Sequence, residues 1–281
     1  MIPPLLLAIL LPALGALLPW LLKPMRPMRD LFNILVPVGL IAVVLSILPS
    51  ALNGETLEFT IGDLGSGLSF ALALTPLGMI YALVAASLWI LNTIYSYGYM
   101  HGLYGKNFEG QERYWCCFAL AILSAMGIAF SANMLTLFLF YEVMTFSTWP
   151  LVTHTRKPEA KRSGRIYLGI LVGSSTLFML TATLLTWVWT GTLDFREGGI
   201  LSGSTTAGQA AILILLFFFG TGKTAIFPLH QWLPNAMVAP TPVSALLHAV
   251  AVVKAGVFTV LKISTELVGT SVMQGSWGAE V

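Results

Sequence analysis

Eight mostly apolar stretches run through this chain, each close to the roughly 20 residues that an α-helix needs to cross a bilayer. They cover residues 3–22, 32–50, 71–95, 115–131, 134–153, 166–190, 209–228 and 242–263. Of the 281 residues, 57% are hydrophobic and only 9% are charged, whereas about 25% are charged in a typical soluble protein. The sequence therefore predicts an all-α polytopic membrane protein with about eight transmembrane helices.

The few basic residues are concentrated in alternate connections between these segments. Ten of the 14 fall in the first, third and fifth connections, namely Lys23, Arg26, Arg29, Lys106, Arg113, Arg156, Lys157, Lys161, Arg162 and Arg165. Cytoplasmic loops are enriched in Lys and Arg. We therefore expect these connections in the cytoplasm and both termini on the outer side of the plasma membrane. Acidic residues occupy the complementary side, namely Glu55, Glu58, Asp63, Asp194, Glu197, Glu266 and Glu280.

Two connections carry further signals. Residues 53–69 contain four glycines and short alternating apolar and polar residues, a pattern that predicts a β-hairpin. The basic connection from His154 to Arg162 has two interpretations, either a cluster that only sets topology or a contact for anionic lipid headgroups. Of these, the purely topogenic role is favoured.

The seventh apolar segment is interrupted by residues that do not suit a continuous span. Gly220 and Gly222 precede Lys223, and Pro228 follows. Proline lacks a backbone donor and breaks a helix, so we expect the break about one turn beyond Lys223, followed by irregular or short-helical backbone to Pro242. Irregular backbone at membrane depth lines water or lies within protein, and an intramembrane lysine indicates an ion route. The preceding glycine of a phosphate-binding loop would fall at Phe217, which rules out a nucleotide site.

The fifth segment contains the only acidic residue within a predicted span, Glu142. One interpretation is a protonated carboxyl that bonds to Thr145 or Ser147 and serves only packing. The favoured interpretation is a functional group, because an ionisable side chain in lipid is costly.

Helix eight is predicted to start at Thr241-Pro242, with Thr as the N-cap. It carries His248 and Lys254, which are six residues apart and therefore lie on different faces. His248 is either part of the ion route or a neutral core histidine bonded to Ser244.

Two further basic side chains lie near the predicted membrane surfaces. His230 is either a cytoplasmic entry group or an interfacial side chain. Lys262 is expected to snorkel to the outer surface.

These motifs together resemble one family. Phe138–Val152 around Glu142, Gly222–Ala236 and Ala239–Ala249 are similar to the antiporter-like subunits of respiratory complex I, Mrp cation/proton antiporters and membrane-bound hydrogenases. The resemblance implies residues 1–110 as three scaffold helices, residues 111–265 as a five-helix repeat with a broken helix seven, and residues 266–281 as a tail. It also implies a partner that supplies a second such repeat.

In that family the glutamate of helix five pairs with the lysine of the broken helix, which implies a Glu142–Lys223 pair, with Lys254 and His248 as the onward relay. The resemblance implies H⁺, and Na⁺ as an alternative, as the ions moved, and membrane subunits and lipid as partners. No prosthetic group, metal, redox centre or hydrolytic centre is expected in this chain. Two rival functions stay open, a non-conducting membrane anchor and a stand-alone transporter of a small solute.

Overall fold

The computed structural model describes residues 3–65, 67–105 and 108–275, and these are mostly helical. The helices are α1 (Pro4–Leu21), α2 (Arg26–Leu52), α3 (Pro76–Tyr104), α4 (Gln111–Ala129), α5 (Met134–Val152), α6 (Pro158–Thr190), α7 (Ala207–Gly220), α8 (Trp232–Ala236), α9 (Thr241–Val268) and α10 (Thr270–Gly275). Seven of the described helices are long and apolar enough to cross a membrane, and α7 is a shorter apolar helix. The predicted class, a helical multi-pass membrane protein, is confirmed. Lys106, and residues 276–281 of the predicted tail with Glu280, lie outside the described part.

The α4 helix lies at the centre of the packed helices. It contacts α1 on one side and α5 on the other, while α2 packs on α1 and α3. Of the seven candidate spans, α4 is the most buried and α2 the least. Two of the three predicted scaffold helices, α1 and α3, thus pack directly against α4, the start of the predicted repeat.

The predicted hairpin is present but lies four to five residues further along the chain than expected. Strand β1 (Glu58–Gly65) pairs antiparallel with β2 (Leu68–Ala73). The backbone N–H of Ala73 donates to the carbonyl of Phe130, which ties the hairpin to the loop between α4 and α5. Because β2 uses residues predicted to open the third span, α3 starts only at Pro76. Its N-cap is Thr75, whose hydroxyl accepts from the N–H of Gly78.

Basic and acidic connections gather at opposite ends of the helices. At the basic end, Lys23 lies 3.9 Å from Glu112, and Arg156 lies 2.7 Å from Glu109. An open cavity of about 570 Å³ at this end is lined by Arg113, Trp149, Thr153, Arg156, Lys161 and Arg165. At the acidic end, the hairpin, the loop between α6 and α7 and the last turns of α9 enclose a cavity of about 590 Å³.

The long helices α6 and α9 are not uniform. The α6 helix has a π-helical section at Ser175–Leu180, and α9 has two, at Leu246–Val250 and Ile263–Val268. Single π-helical turns within α-helices are frequent at functional sites. The first of these sections packs against α7, and α9 packs against the short turn that follows α7.

Candidate functional site

The predicted break after the seventh segment occurs earlier than the sequence indicated. The α7 helix ends at Gly220, and Lys223 lies in a 3₁₀ turn, Gly222–Thr224, instead of one turn inside the helix. A Cβ added to Gly220 would lie 2.6 Å from the backbone nitrogen of Met179 in the π-helical section of α6. The helix thus ends eight residues before Pro228, at a glycine that packs closely on α6. As predicted, short helical pieces follow, at Leu229–Gln231 and Trp232–Ala236.

Aromatic side chains satisfy the backbone groups that the break exposes. The N–H of Lys223 donates to the hydroxyl of Tyr141 at 3.3 Å. The indole N–H of Trp232 donates to the carbonyl oxygen of Gly222 at 2.8 Å. Buried backbone groups without partners are costly, so these two side chains stabilise an interrupted helix within the protein.

Lys223 is fully buried, and α5 surrounds its ammonium group. Nζ donates to the carbonyl oxygen of Tyr141 at 2.8 Å and to the hydroxyl of Thr145 at 2.7 Å. It also lies 3.3 Å from the centroid of the Tyr141 ring, in cation–π geometry. Three neutral groups on one helix thus hold a positive charge in the membrane interior.

Glu142 lies next to these groups on α5 but does not form the direct ion pair with Lys223 that the resemblance implied. Among the described residues, the ion pairs involve neither side chain. Glu142 is half-buried, and its Oε1 is buried without a hydrogen-bond partner in the described chain. Lys223 donates hydrogen bonds to Tyr141 and Thr145, which precede and follow Glu142 in the sequence. The Glu142 carboxyl therefore keeps an unused hydrogen-bond acceptor.

The remaining predicted site residues lie in different environments. His248 belongs to the first π-helical section of α9 and is half-buried. Its Nε2 is buried and unpartnered, and no bond to Ser244 is seen in the described part of the chain. Lys254 is exposed on α9, and His230 is exposed and stacks on Phe227.

The α9 helix lies next to Lys223, because it packs against the turn at Gly222–Thr224. A Cβ added to Gly256 would lie 2.5 Å from the backbone nitrogen of Thr224 and 2.8 Å from the carbonyl carbon of Lys223. Backbone approach this close requires glycine. The structure therefore joins Lys223 to α5 and to the α9 backbone, while the side chain of Lys254 faces away from the packed helices.

The expectation that Lys262 snorkels to the surface is wrong. Its side chain is fully buried, and Nζ lies 3.1 Å from Oε2 of Glu266 one turn later. It does not snorkel because Phe195 and Phe258 cover the ammonium, with ring centroids 4.8 and 5.7 Å away. The i,i+4 spacing of Lys262 and Glu266 was the sequence signal for this pair.

Tyr141 and Thr145, the direct partners of Lys223, were not predicted in that role. Both lie on the same face of α5, since residues four apart are neighbours on a helix. The sequence does not indicate which turn of α5 faces the break, because that depends on packing between segments 78 and 82 residues apart. Within the described residues, no cluster of three or more His, Cys, Asp or Glu side chains could hold a metal ion.

Comparison with known proteins gives a family for this arrangement. The family described as "NADH:quinone oxidoreductase/Mrp antiporter, TM" matches residues 131–277, just over half of the chain and the whole region from α5 to α9. The chain belongs to this family. The resemblance drawn from the sequence motifs is thereby confirmed.

Individual relatives of this antiporter-family chain are much longer than it is. It is 28% identical to the antiporter subunit mnhA2 of Staphylococcus haemolyticus over 89% of this chain and 31% of the relative. It is 29% identical to the Na⁺/H⁺ antiporter subunit A1 of Staphylococcus aureus, over 83% of this chain and 29% of that protein. The chain thus spans about a third or less of the curated relatives it matches.

Solved structures show the same fold. A chain of the Mrp complex from Dietzia sp. superposes with a TM-score of 0.77 at 28% identity, over 91% of this chain and 27% of that one. A chain of an archaeal membrane-bound sulfane sulfur reductase superposes with a TM-score of 0.78 at 22% identity, over 91% of this chain and 52% of that one. At that lower identity, the second likeness concerns the fold alone.

Proposed function

We propose that this chain is an ion-translocating membrane subunit that moves protons between Glu142 and Lys223 and onward along α9. The observation that carries the proposal is a fully buried lysine at the break after α7, beside a carboxyl whose buried Oε1 has no hydrogen-bond partner in the described chain. Charges in the membrane interior are costly and mark ion pathways. A structural role alone gives no reason to bury both groups.

The mechanism is electrostatic. Ionised Glu142 stabilises the protonated form of Lys223, and the bonds to Tyr141 and Thr145 hold the ammonium within reach of it. When the carboxyl takes up a proton or moves away, the buried ammonium loses its nearest negative charge. Burial disfavours the charged form of an amine, so the proton is released towards α9, where His248 has an unpartnered nitrogen. His230, exposed at the basic end, is the proposed entry group.

Lys254 continues the route out of this chain. Its side chain is exposed on a membrane-spanning helix, and a lysine facing lipid at the centre of a span costs about 2.5–3.5 kcal/mol or more. We therefore infer that another protein segment, equivalent to the second five-helix repeat, covers this face of α9. The assembly would be Mrp-like or complex I-like, in the inner (plasma) membrane, with the basic end in the cytoplasm. Na⁺ exchanged for H⁺ is the variant suggested by the name of the Staphylococcus aureus relative.

The test is transport by the complete complex in membrane vesicles, followed by a pH-sensitive dye. Glu142→Gln and Lys223→Ala should each abolish proton-coupled transport while the complex still assembles. The matched controls are Glu159→Gln and Lys157→Ala, which change the same residue types in the connection and first turn of α6. Wild-type transport by Glu142→Gln or Lys223→Ala in an assembled complex would refute the proposal.

A non-conducting membrane anchor is the second candidate, and the lack of a direct Glu142–Lys223 ion pair favours it. An anchor needs only that the buried polar groups be satisfied, and Lys223 is satisfied by α5 alone. The same experiment decides, because an anchor would tolerate Glu142→Gln without loss of transport by its complex.

Lipid is the remaining proposed partner. The cavity at the basic end is lined by four basic side chains, Trp149 and Thr153. Basic pockets on the cytoplasmic side of membrane proteins bind anionic headgroups, and Trp is typical of the interface. Replacing Lys161 and Arg165, which line the cavity, with Gln should weaken phosphatidylglycerol binding more than the same change at Lys157 and Arg162, which do not line it.

A further inference from the structure

The cavity at the acidic end opens into the packed helices and is not used by the proposed route. Its volume is about 590 Å³, which corresponds to roughly 20 water molecules at about 30 Å³ each. Five carboxylates and two basic groups line it, namely Glu55, Glu58, Asp194, Glu197 and Glu266, with Arg196 and Lys262. The excess of negative charge concentrates cations at the mouth of such a cavity.

Lys262 lies in the cavity wall and is fully buried. Its Nζ lies 3.1 Å from Oε2 of Glu266, which is its one carboxylate contact among the described residues. Phe195 and Phe258 cover other sides of it. A group with three donors thus has one charged partner, two ring faces and an adjoining polar cavity.

We propose that Lys262 and Glu266 form a proton-exchanging pair through which this cavity connects bulk water with the membrane interior. In the exchange, one proton moves from Nζ of Lys262 to the carboxylate of Glu266, which leaves a neutral amine beside a neutral carboxylic acid. The acid then releases the proton to cavity water. The return step takes a proton from water by the reverse path, so no other reactant is needed.

The ion at this pair is a proton and not a metal cation. A fixed ammonium at the cavity wall repels Na⁺, whereas it can itself give up a proton. The Nζ of Lys262 and the Oε2 of Glu266 lie 3.1 Å apart, and both residues line the polar cavity, so a proton can pass between them and on to cavity water.

The pair also places an exchange group on the helix that the proposed route uses. Lys262 and Glu266 belong to α9, which carries His248 and Lys254 and whose Gly256 contacts the break at Lys223. The inference rests on the proposed function in one respect, that protons are the ions moved. It adds access from the acidic end, which none of the sequence motifs indicated.

The first test separates proton exchange from a structural ion pair. Lys262→Arg keeps the charge and its attraction to Glu266, but an arginine is not deprotonated in proteins. We expect the variant to assemble and melt like the wild type, with transport lower by about tenfold or more, as when a proton-transfer group is lost. The double variant Lys262→Met/Glu266→Gln removes both charges and should also be stable and inactive. Wild-type transport by either variant would overturn the proposal.

Including Glu142→Gln in the same assay makes the two proposals distinguishable. Loss of transport in Glu142→Gln but not in Lys262→Arg leaves the proposed function standing and refutes the exchange pair. Loss in Lys262→Arg but not in Glu142→Gln refutes the route through Glu142 and supports the pair.

The second test measures water access without any transport assay. In a chain with Cys116 and Cys117 replaced by Ala, a cysteine at position 262 should react with a membrane-impermeant thiol reagent added at the acidic end. Glu58→Cys, at the exposed rim, is the positive control, and Ala251→Cys, buried in the same helix, is the negative control. Reaction of Lys262→Cys no faster than that of Ala251→Cys would overturn the proposal.

Discussion

The surroundings of two lysines in this chain show two ways to bury an ammonium group in a membrane protein. Lys223 has hydrogen bonds and an aromatic face, and no carboxylate of the described residues contacts it. Lys262 instead has a carboxylate counter-ion at 3.1 Å and two aromatic faces. Both are fully buried. In the first case the charge is held by neutral dipoles of another helix, and in the second by a carboxylate one turn away on the same helix.

The two lysines should respond differently when a nearby carboxylate loses its charge. The Lys223 ammonium is held by neutral groups, so it stays in place whether Glu142 is charged or neutral. An ammonium held by a carboxylate alone depends on that charge, because removing one partner of a buried pair leaves the other uncompensated. The following predictions test this contrast.

We expect the largest loss of stability when the Lys262–Glu266 pair is broken. Glu266→Gln leaves the buried ammonium of Lys262 without the one carboxylate that contacts it among the described residues, which should cost about 3–5 kcal/mol of stability. Thermal melting of the purified protein in detergent should therefore shift strongly downwards. Lys262→Met/Glu266→Gln should recover most of the loss, since no charge is left buried. Equal melting temperatures for Glu266→Gln and the wild type would contradict the dependence on a counter-ion.

The backbone at Lys223 packs closely on Gly256 of α9, so a single methyl group added at Gly256 should disturb it. Gly256→Ala places a Cβ within 2.5–2.8 Å of backbone atoms of Lys223 and Thr224, and overpacking of this kind costs about 1–3 kcal/mol. We expect a lower melting temperature. The matched control is Gly169→Ala in α6, where nothing lies within 4 Å of the added Cβ. There the change should be neutral or stabilising, by up to about 1 kcal/mol.

Removal of one neutral partner of Lys223 should have a smaller effect than removal of the Glu266 charge. Thr145→Val keeps the shape of the side chain but deletes the hydroxyl 2.7 Å from Nζ. A hydrogen bond to a charged group contributes about 1.5–3 kcal/mol, and the Tyr141 carbonyl and ring remain. Thr145→Ser, which keeps the hydroxyl, should melt close to the wild type. A loss as large as that of Glu266→Gln would show that the two lysines are held alike.

His154, between α5 and α6, represents a third solution, a buried basic group that stays neutral. Burial, reinforced by Arg113 and Arg156, lowers the pKa of its imidazole from 6.5 to about 4. As the pH falls below 6.5, the unfolded chain therefore takes up a proton before the folded chain does. Stability should fall by about 1 kcal/mol between pH 7 and 5.5, and further towards pH 4. The pH dependence of melting should be flatter in His154→Gln, and an unchanged slope would contradict this assignment.

The membrane spans could be predicted from the sequence more completely than the site. Seven of the eight apolar segments correspond to long helices, because the bilayer requires about 20 apolar residues whatever their partners. The third segment was placed too early, because its first residues pair with β1 across the hairpin. The predicted end of the seventh segment is too late, because the helix ends at Gly220, where it packs on Met179, and that contact is invisible in the sequence.

The sequence by itself determined that this is a helical membrane protein with ionisable groups inside its spans, since composition and the cost of charge in lipid depend on residue type alone. Only the tertiary structure decided which atoms meet those groups. Tyr141 and Thr145 contact Lys223 across more than 75 residues of chain, and Lys262 is buried by Phe195 from a separate loop. The physical reason is that desolvation and hydrogen bonding are properties of a three-dimensional neighbourhood. Its residues come from distant segments, whose relative rotation is fixed by packing and not by local pattern.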